Sequence, residues 1–275
     1  MPWPRTLAAL LLVSCHGSEV EPTASATPAP REIVRLSLLA ERSQVEPGGE
    51  VELAARFEIA PGWHIYWTNP GDSGLPTKAT FAAPPGFALG DVVYPGPASF
   101  RSPGGVVTYG YTGEAVLFAR AQAPAAPAGD SSSFSVSASW LACRENCVRG
   151  KATASVSLPP AGAADQRAHA AILDRQRARV PRPWAELGVK PSWAYDAGEM
   201  RLDLDVPGAS AIELFPLDGT GSVLRAQSVE QKEGRAVLHV RFAPVDPGHA
   251  PLRGALRVVR GAKIVYYSLD FPWPC

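Results

Sequence analysis

The strongest indication of the fold is the stretch Trp140-Leu141-Ala142-Cys143-Arg144-Glu145-Asn146-Cys147-Val148, which joins the end of a strand pattern to two cysteines. Upstream of the first cysteine, apolar and small side chains alternate with serines. One face of this segment is predicted to carry Phe134, Val136, Ala138, Trp140 and Ala142, and the other Ser135, Ser137 and Ser139. A period of two over such a run is typical of a half-buried β-strand.

Cys143 and Cys147 can form a disulfide only if the chain reverses direction between them. The Cα atoms of a disulfide lie about 4.4–6.8 Å apart, whereas four extended residues would span roughly 13 Å. The tripeptide Arg144-Glu145-Asn146 is polar enough to turn at a surface. So short a loop would stabilise the fold by only about 2 kcal/mol. Labile bridges are often catalytic or regulatory, so a structural bridge and a redox pair both remain open from the spacing.

The composition points to an all-β protein and away from nucleic acid. The chain has 275 residues, and Lys+Arg and Asp+Glu both total 26, so its formal net charge is zero. This balance indicates neither a nucleic-acid partner nor a charged tail. Gly at 25 and Pro at 28 separate many short segments, which is typical of an all-β chain.

The N-terminus is predicted to be a targeting segment over residues 1–15. Arg5 precedes the short apolar run Thr6 to Val13, which is too short to span a bilayer and is typical of a signal peptide. The run ends in Leu12-Val13-Ser14-Cys15, which resembles a bacterial lipobox and makes Cys15 the expected lipidation site. The alternative is an ordinary secretory signal with a chance cysteine. Either way we expect a compartment in which disulfides persist.

The rest of the chain is predicted to hold two β domains. Residues 16–31, rich in Pro, Ala, Ser and Thr, are expected to be a flexible tether. Residues 32–160 should form the first β domain, and residues 161–190 a helical connector with a helix over Ala163 to Arg179. Residues 191–275 should form a smaller β domain. Cys275 is left as the odd cysteine, for which we favour no role.

The aromatic segment Trp63-His64-Ile65-Tyr66-Trp67 is a second strong strand prediction. Its alternation places Trp63, Ile65 and Trp67 on one face and leaves His64 and Tyr66 on the other. His64 has the chemistry of a catalytic base or a metal ligand, but a hydrogen-bonded structural histidine is the favoured interpretation.

Three motifs together resemble a known family. They are Gly62-Trp63-His64-Ile65-Tyr66-Trp67-x-Asn69-Pro70-Gly71-Asp72-Ser73-Gly74, Tyr109-Gly110-Tyr111, and Trp140-Leu141-x-Cys143-x-x-x-Cys147. The chain resembles the N-terminal periplasmic domain of the DsbD-type thiol:disulfide interchange reductases, including their copper-sensitivity-suppressor relatives. The resemblance covers about residues 33–158, and the strands after Leu214-Phe215-Pro216-Leu217 look like the second β module of those relatives.

The resemblance implies an immunoglobulin-like β-sandwich whose two cysteines receive electrons from a membrane module and pass them to thioredoxin-fold periplasmic partners. These roles are carried onto Cys143 and Cys147. The family also has a short aromatic loop that caps the pair, and Tyr109, Gly110 and Tyr111 match it best. No cofactor is implied. A zinc site is disfavoured because it needs about four ligands and no histidine lies near the pair in sequence.

The chain departs from the full-length family, since neither a membrane-spanning segment nor a CxxC thioredoxin-like domain follows the β domains. We therefore expect a lipid-anchored thiol:disulfide oxidoreductase of the periplasm that depends on a separate membrane electron donor. His16 is not an aspartate, which slightly favours the outer membrane. The alternative is a binding or scaffold lipoprotein with a structural disulfide. A Cu(I)-handling role for the two cysteines is a weaker idea.

Overall fold

The computed structural model describes residues 33–126, 131–162, 166–167, 169–196, 199–217, 224–232, 234–242 and 251–272. Cys15, Cys275, the signal segment and the tether lie outside these residues. Within them the chain forms four antiparallel sheets in two β regions, which confirms the all-β, immunoglobulin-like class. None of the described helices is both long and apolar enough to cross a bilayer.

The first β region is a sandwich of two sheets. Its strands are β1 (Val34–Ala40), β2 (Glu50–Ile59), β3 (His64–Gly71), β4 (Lys78–Ala82), β5 (Ala88–Leu89), β6 (Ala98–Arg101), β7 (Val107–Thr112), β8 (Glu114–Gln122), β9 (Ser132–Cys143) and β10 (Cys147–Leu158). One sheet has the order β1-β2-β8-β5, and the other has the order β10-β9-β3-β7-β6, with β4 also paired to β9. Side chains from both sheets meet between them, as where Phe57 of β2 packs edge-on against Trp140 of β9 at 5.7 Å.

The alternation predicted for β9 is present along the whole strand. Its five predicted core residues are all buried, each at most 4% exposed. β10 pairs with β9 without interruption from Leu158↔Ser132 to Cys147↔Cys143. Because the side-chain period of a strand is two, this register fixes which β10 residues share a face with Cys143.

The connector contains helix α1 (Ala170–Arg177), which is shorter than the predicted helix. Its Leu173 is fully buried against Ala54, Val116 and Phe118 on the outer side of the first sheet. Polar contacts fix it further, because Glu114 accepts hydrogen bonds from Arg56 of β2 and from Arg175 and Gln176 of the helix. Only Leu173 and Gln176 of the helix are buried, and this narrow contact fits the weak apolar stripe of its sequence.

The second β region begins after a short 3₁₀ turn at Trp184–Leu187. Its strands are β11 (Ser192–Asp196), β12 (Glu199–Pro207), β13 (Ala211–Pro216), β14 (Leu224–Lys232), β15 (Arg235–Phe242), β16 (Leu252–Arg260) and β17 (Lys263–Phe271). They form one sheet of order β11-β12-β15-β14 and another of order β13-β16-β17. A separate apolar core, rich in leucine and valine, lies between these sheets.

The two β regions pack directly against each other through aromatic side chains. Phe215 of β13 is fully buried and lies edge-on to Tyr109 at 5.1 Å and to Trp67 at 6.4 Å. The Asn69 amide donates to the Pro216 carbonyl at 2.8 Å, and the Tyr266 hydroxyl donates to the Pro97 carbonyl at 2.8 Å. The second region therefore touches the C-terminal half of β3, which belongs to the cysteine-bearing sheet.

Candidate redox site

The cysteine pair closes the hairpin between β9 and β10. Cys143 is the last residue of β9 and Cys147 the first of β10, and the two are register partners. Arg144, Glu145 and Asn146 make the turn, in which the Arg144 amide donates to the Asn146 carbonyl at 3.1 Å. The sulfurs are bonded at 2.03 Å, with the Cα atoms 4.1 Å apart. The reversal expected from the polar tripeptide is therefore present.

The two sulfur-bearing residues differ sharply in exposure. Cys143 is 3% exposed, whereas Cys147 is exposed. A protein thiol or disulfide arriving from solvent can therefore reach the Cys147 side of the bond, while the Cys143 side is shielded. Because thiol–disulfide exchange depends on which sulfur is accessible to attack, this asymmetry gives the two cysteines different chemical roles.

Tyr66 covers the buried sulfur. Its hydroxyl donates to Cys143 Sγ at 3.2 Å, and the residue is only 5% exposed. Burial raises the pKa of Tyr66, so the hydroxyl keeps its proton and remains a donor. The loop after β3 lies directly on this ring, since a Cβ on Gly74 would come within 2.3 Å of Tyr66 Cε1.

His64 packs between two aromatic rings beside the disulfide. It is the register partner of Cys143 on β3, stacks on Phe100 at 4.8 Å, and meets Tyr66 edge-on at 5.1 Å. Burial lowers the pKa of His64, which keeps the imidazole neutral at pH 7. The sequence interpretation left a catalytic base open, but the described contacts of this ring are aromatic.

The expected cap loop at Tyr109, Gly110 and Tyr111 is not a loop, and this prediction of the local structure is wrong. The three residues lie in the middle of β7, and Gly110 pairs with Tyr66 of β3. Both tyrosines point into the core, where they are 5% and 1% exposed. A side chain at Gly110 would clash with the Ile65 carbonyl, because its Cβ would lie 2.0 Å from that oxygen.

The single glycine and the two tyrosines of this motif are therefore explained by close strand packing. The Tyr111 hydroxyl donates to the Pro95 carbonyl at 2.7 Å, and Tyr109 packs on Phe215. The residues that do lie against Cys143 and its neighbour His64 are Tyr66 and Phe100. The predicted alternation already placed His64 and Tyr66 together on the face away from the tryptophans, but nothing in the local sequence pointed to Phe100.

The turn residues add a cation near the pair. The Arg144 guanidinium lies over the Trp63 ring, 5.4 Å from its centroid, and Glu145 is exposed at the tip. Within the described part of the chain, no group of three or more His, Cys, Asp or Glu side chains is placed to hold a metal ion. The chemistry that the arrangement can support is sulfur exchange at the exposed end of a bond whose other end is covered.

Comparisons with known proteins concern the family of the first β region and the fold of the chain. Residues 36–158 match the family described as "Thiol:disulfide interchange protein DsbD, N-terminal". The N-terminal periplasmic domain of ScsB from Proteus mirabilis has the same fold with a TM-score of 0.64 at 15% identity, covering 90% of this chain and 97% of that one. The reduced DsbD N-terminal domain of Neisseria meningitidis matches at 15% identity and a TM-score of 0.31, over 50% of this chain and 93% of that one. No curated protein matches the sequence significantly.

Proposed function

We propose that the chain passes reducing equivalents through Cys143 and Cys147 to thioredoxin-fold proteins, because residues 36–158 match the N-terminal domain family of the thiol:disulfide interchange protein DsbD. The observation that carries the proposal is the asymmetry of the pair. Cys147 is exposed, whereas Cys143 is buried and hydrogen-bonded to Tyr66. One sulfur is thus placed to meet a partner, and the other to complete the reaction inside the domain.

In the first step Cys147 is the nucleophile. Its thiolate attacks one sulfur of the partner's disulfide, a Cys147–partner bond forms, and the partner's second sulfur leaves as a thiolate that takes up a proton. Exposure of Cys147 allows the near-linear approach of three sulfurs that this step needs. The Cys143 sulfur cannot meet a folded partner while it is covered by Tyr66 and the Gly74 loop.

In the second step Cys143 resolves the mixed disulfide. Its thiolate attacks Cys147 Sγ, the Cys143–Cys147 bond re-forms, and the partner's first sulfur leaves as a thiolate. Two electrons have then passed from the pair to the partner. The Tyr66 hydroxyl donates to Cys143 Sγ, so it stabilises the thiolate that attacks here and the thiolate that leaves when the reaction runs in reverse, since hydrogen bonds to a charged group favour that form.

The pair must be reduced again after each cycle, and we propose a separate membrane protein as the electron donor. We further propose a periplasmic location, as for the ScsB domain that shares the fold, with lipid on Cys15 as the anchor and the outer membrane slightly favoured. Lipidation is tested by mass spectrometry of the membrane fraction, in which the Cys15→Ala protein should lack acyl chains and lose its membrane association.

The function is tested by trapping. The Cys143→Ser variant keeps the exposed Cys147 but cannot resolve, so it should accumulate a mixed disulfide with a thioredoxin-fold protein whose CxxC site is oxidised. The Cys147→Ser variant is the matched control, and it should trap at least tenfold less because Cys143 is covered. Non-reducing electrophoresis and mass spectrometry measure both.

The competing function is a binding or scaffold protein with a structural bridge, which the burial of Cys143 also fits. That function predicts no trapped species with either variant and a reduction potential below about −300 mV, as for structural disulfides in secreted proteins. A potential in the range of thioredoxin-like partners, between about −120 and −270 mV, is expected if the pair is redox-active.

A further inference from the structure

A groove of about 500 Å³ lies on the outer face of the sheet that carries the disulfide. Its floor is Ser139 of β9, and its apolar wall is formed by Leu75 and Pro76 of the loop between β3 and β4. Leu75 is 42% exposed, so this wall is open to solvent. The charged side chains that line the groove are all cationic, and they are Lys78, Arg149 and Lys151.

The groove lies on the same face as the reactive cysteine. Arg149 and Lys151 follow Cys147 at spacings of two and four along β10, and all three are exposed. In an extended strand these spacings correspond to roughly 7 and 13 Å. Ser139 pairs with Lys151 on one side and with Lys78 of β4 on the other, so the cations stand on both sides of the groove.

The positive charge of the groove is not neutralised by the part of the protein that the structure describes. Across the described residues, no carboxylate lies within 4 Å of Lys78, Arg149 or Lys151. The arginines on the opposite side of the sandwich are different, because Arg56 and Arg177 form ion pairs with Glu114 and Glu52. A concave site with three unpaired cations favours an anionic occupant.

Protection of a sheet edge explains only part of this arrangement. β10 is at the end of its sheet, and exposed Lys or Arg on an edge strand discourages pairing with another chain. Lys78 is on β4, across β9 from β10, and β4 pairs only with β9 among the described strands, so its charge protects a different edge. Edge protection does not, however, account for the apolar wall of Leu75 and Pro76 or for cations from two strands at one groove.

We infer that this groove binds an acidic segment of the protein whose disulfide exchanges at Cys147. The inference rests on the proposed function and specifies the partner, which would carry carboxylates within about four extended residues of its reactive cysteine, the length that spans roughly 13 Å. Those carboxylates meet Arg149, Lys151 and Lys78 while the partner's sulfur lies at Cys147, and the groove thereby orients the incoming disulfide.

The experiment separates binding from exchange. The full chain in its disulfide form is titrated with a linear peptide of serine followed by four glutamates and a fluorescent label, and with the same peptide carrying glutamines. We expect the glutamate peptide to bind about eightfold more tightly at low ionic strength, a factor of about two for each exposed charge contact. The preference should shrink in 0.5 M salt to less than about twofold, because exposed charges are screened there.

The charge variant K78Q/R149Q/K151Q should bind both peptides equally. Its matched control is K190Q/R225Q/K263Q, which removes two lysines and one arginine that are exposed in the second β region and its approach. The control should keep the eightfold preference. Circular dichroism and urea unfolding of both variants should be unchanged, since all six positions are exposed.

Equal binding of the two peptides by the unaltered chain would overturn the inference. Loss of the preference in the control variant would overturn it too, because the preference for the glutamate peptide would then be an effect of net charge. Binding of phosphatidylglycerol vesicles through the three groove cations, without a preference between the peptides, would assign the groove to a lipid surface instead and overturn it as well. A parallel experiment with reduced protein and disulfide-containing peptides tests the proposed function separately, because absence of exchange there leaves the binding result valid.

Discussion

Two long hairpins in this chain are closed in different ways. β16 and β17 pair without interruption from Leu252↔Phe271 to Arg260↔Lys263 and turn through two residues, of which Gly261 has a φ of 58°. β9 and β10 pair just as continuously but turn through three polar residues and a disulfide. Because the hairpin of β16 and β17 keeps its register without a disulfide between its strands, the hairpin of β9 and β10 does not need a disulfide for that purpose. The disulfide is therefore available for chemistry.

The largest effects on stability should come from substituting a buried glycine in each hairpin. A Cβ on Gly254 of β16 would lie 2.3 Å from the Phe215 carbonyl oxygen, and one on Gly150 of β10 would lie 2.3 Å from the Trp140 ring. We expect Gly254→Ala and Gly150→Ala each to lower the free energy of unfolding by about 1–3 kcal/mol, as overpacking typically does. Urea titration measures both free energies of unfolding. Gly254→Ala should lower the free energy of unfolding more than Gly150→Ala, because a backbone atom has less freedom to move than an indole ring.

Gly162→Ala is the control for both substitutions. A Cβ at that glycine meets nothing within 4 Å, so its effect should stay within about 0.5 kcal/mol. If Gly150→Ala were as harmless as the control, close packing would not be what holds β9 to β10, and the comparison with β16 and β17 would lose its basis.

Reduction of the disulfide should have an effect no larger than overpacking at Gly254, which we expect at the upper end of its range. The bond closes a loop of only five residues, Cys143 to Cys147, for which the chain-entropy estimate is about 2 kcal/mol. Urea unfolding with and without dithiothreitol should therefore show a folded reduced protein with a modestly lower midpoint. Loss of the folded state on reduction would instead mean that the bond is structural, and that the two hairpins are not equivalent in stability.

Local patterns in the sequence were sufficient for the strand that carries the chemistry. The alternation from Phe134 to Ala142 predicted both the strand and its buried face, because a half-buried strand has to alternate. The turn between the cysteines followed from the length of the chain between them and the polarity of that segment. The fold class followed from the number of short segments and from the resemblance of the motifs.

Contacts between distant strands could not be predicted in this way. Tyr66 and Cys143 are separated by 77 positions, and their contact depends on the pairing of β3 with β9. The Tyr109-Gly110-Tyr111 motif was assigned to a loop because it resembles the aromatic cap loop of the family, but here Gly110 allows two strands to approach closely. The helix was predicted too long, since an Ala- and Arg-rich segment favours helix well beyond the part that Leu173 docks.

Removal of the Tyr66 hydroxyl should slow the chemistry more than it changes the fold. Tyr66→Phe keeps the ring under Gly74 but loses the hydrogen bond to Cys143 Sγ, which should cost about 1 kcal/mol in the step that uses the Cys143 thiolate, or roughly a fivefold lower rate. Stopped-flow reduction of the disulfide by a thioredoxin-fold dithiol measures this rate.

Tyr111→Phe is the matched control, because it removes a hydroxyl that donates to the Pro95 carbonyl inside the core and away from sulfur. It should lower stability by about 1 kcal/mol and leave the exchange rate unchanged. Equal rates for Tyr66→Phe and the unaltered protein would show that burial alone, and not the hydroxyl, distinguishes the two cysteines.

The smallest expected effect is a dependence of stability on pH that originates at the cysteine end of the β9–β10 hairpin. Burial lowers the pKa of His64, so between its ordinary value of about 6.5 and its lower value in the folded protein, the unfolded chain binds a proton that the folded protein does not. Stability is therefore greatest above pH 6.5, falls as the pH decreases through this interval, and levels off below the folded-state pKa. In His64→Phe, which retains a ring to stack on Phe100, this decrease should be absent. Urea midpoints of both proteins from pH 8 to pH 5 measure the difference. At pH 8 the comparison of the two proteins reports only the effect of the substitution on packing.

Glu114 also has a lowered pKa, because the hydrogen bonds from Arg175, Arg56 and Gln176 outweigh its burial, but it titrates at more acidic pH and equally in both proteins. Parallel curves for the two proteins would mean that the imidazole is as accessible to protons as in the unfolded chain, and that the aromatic packing beside Cys143 is looser than these contacts indicate.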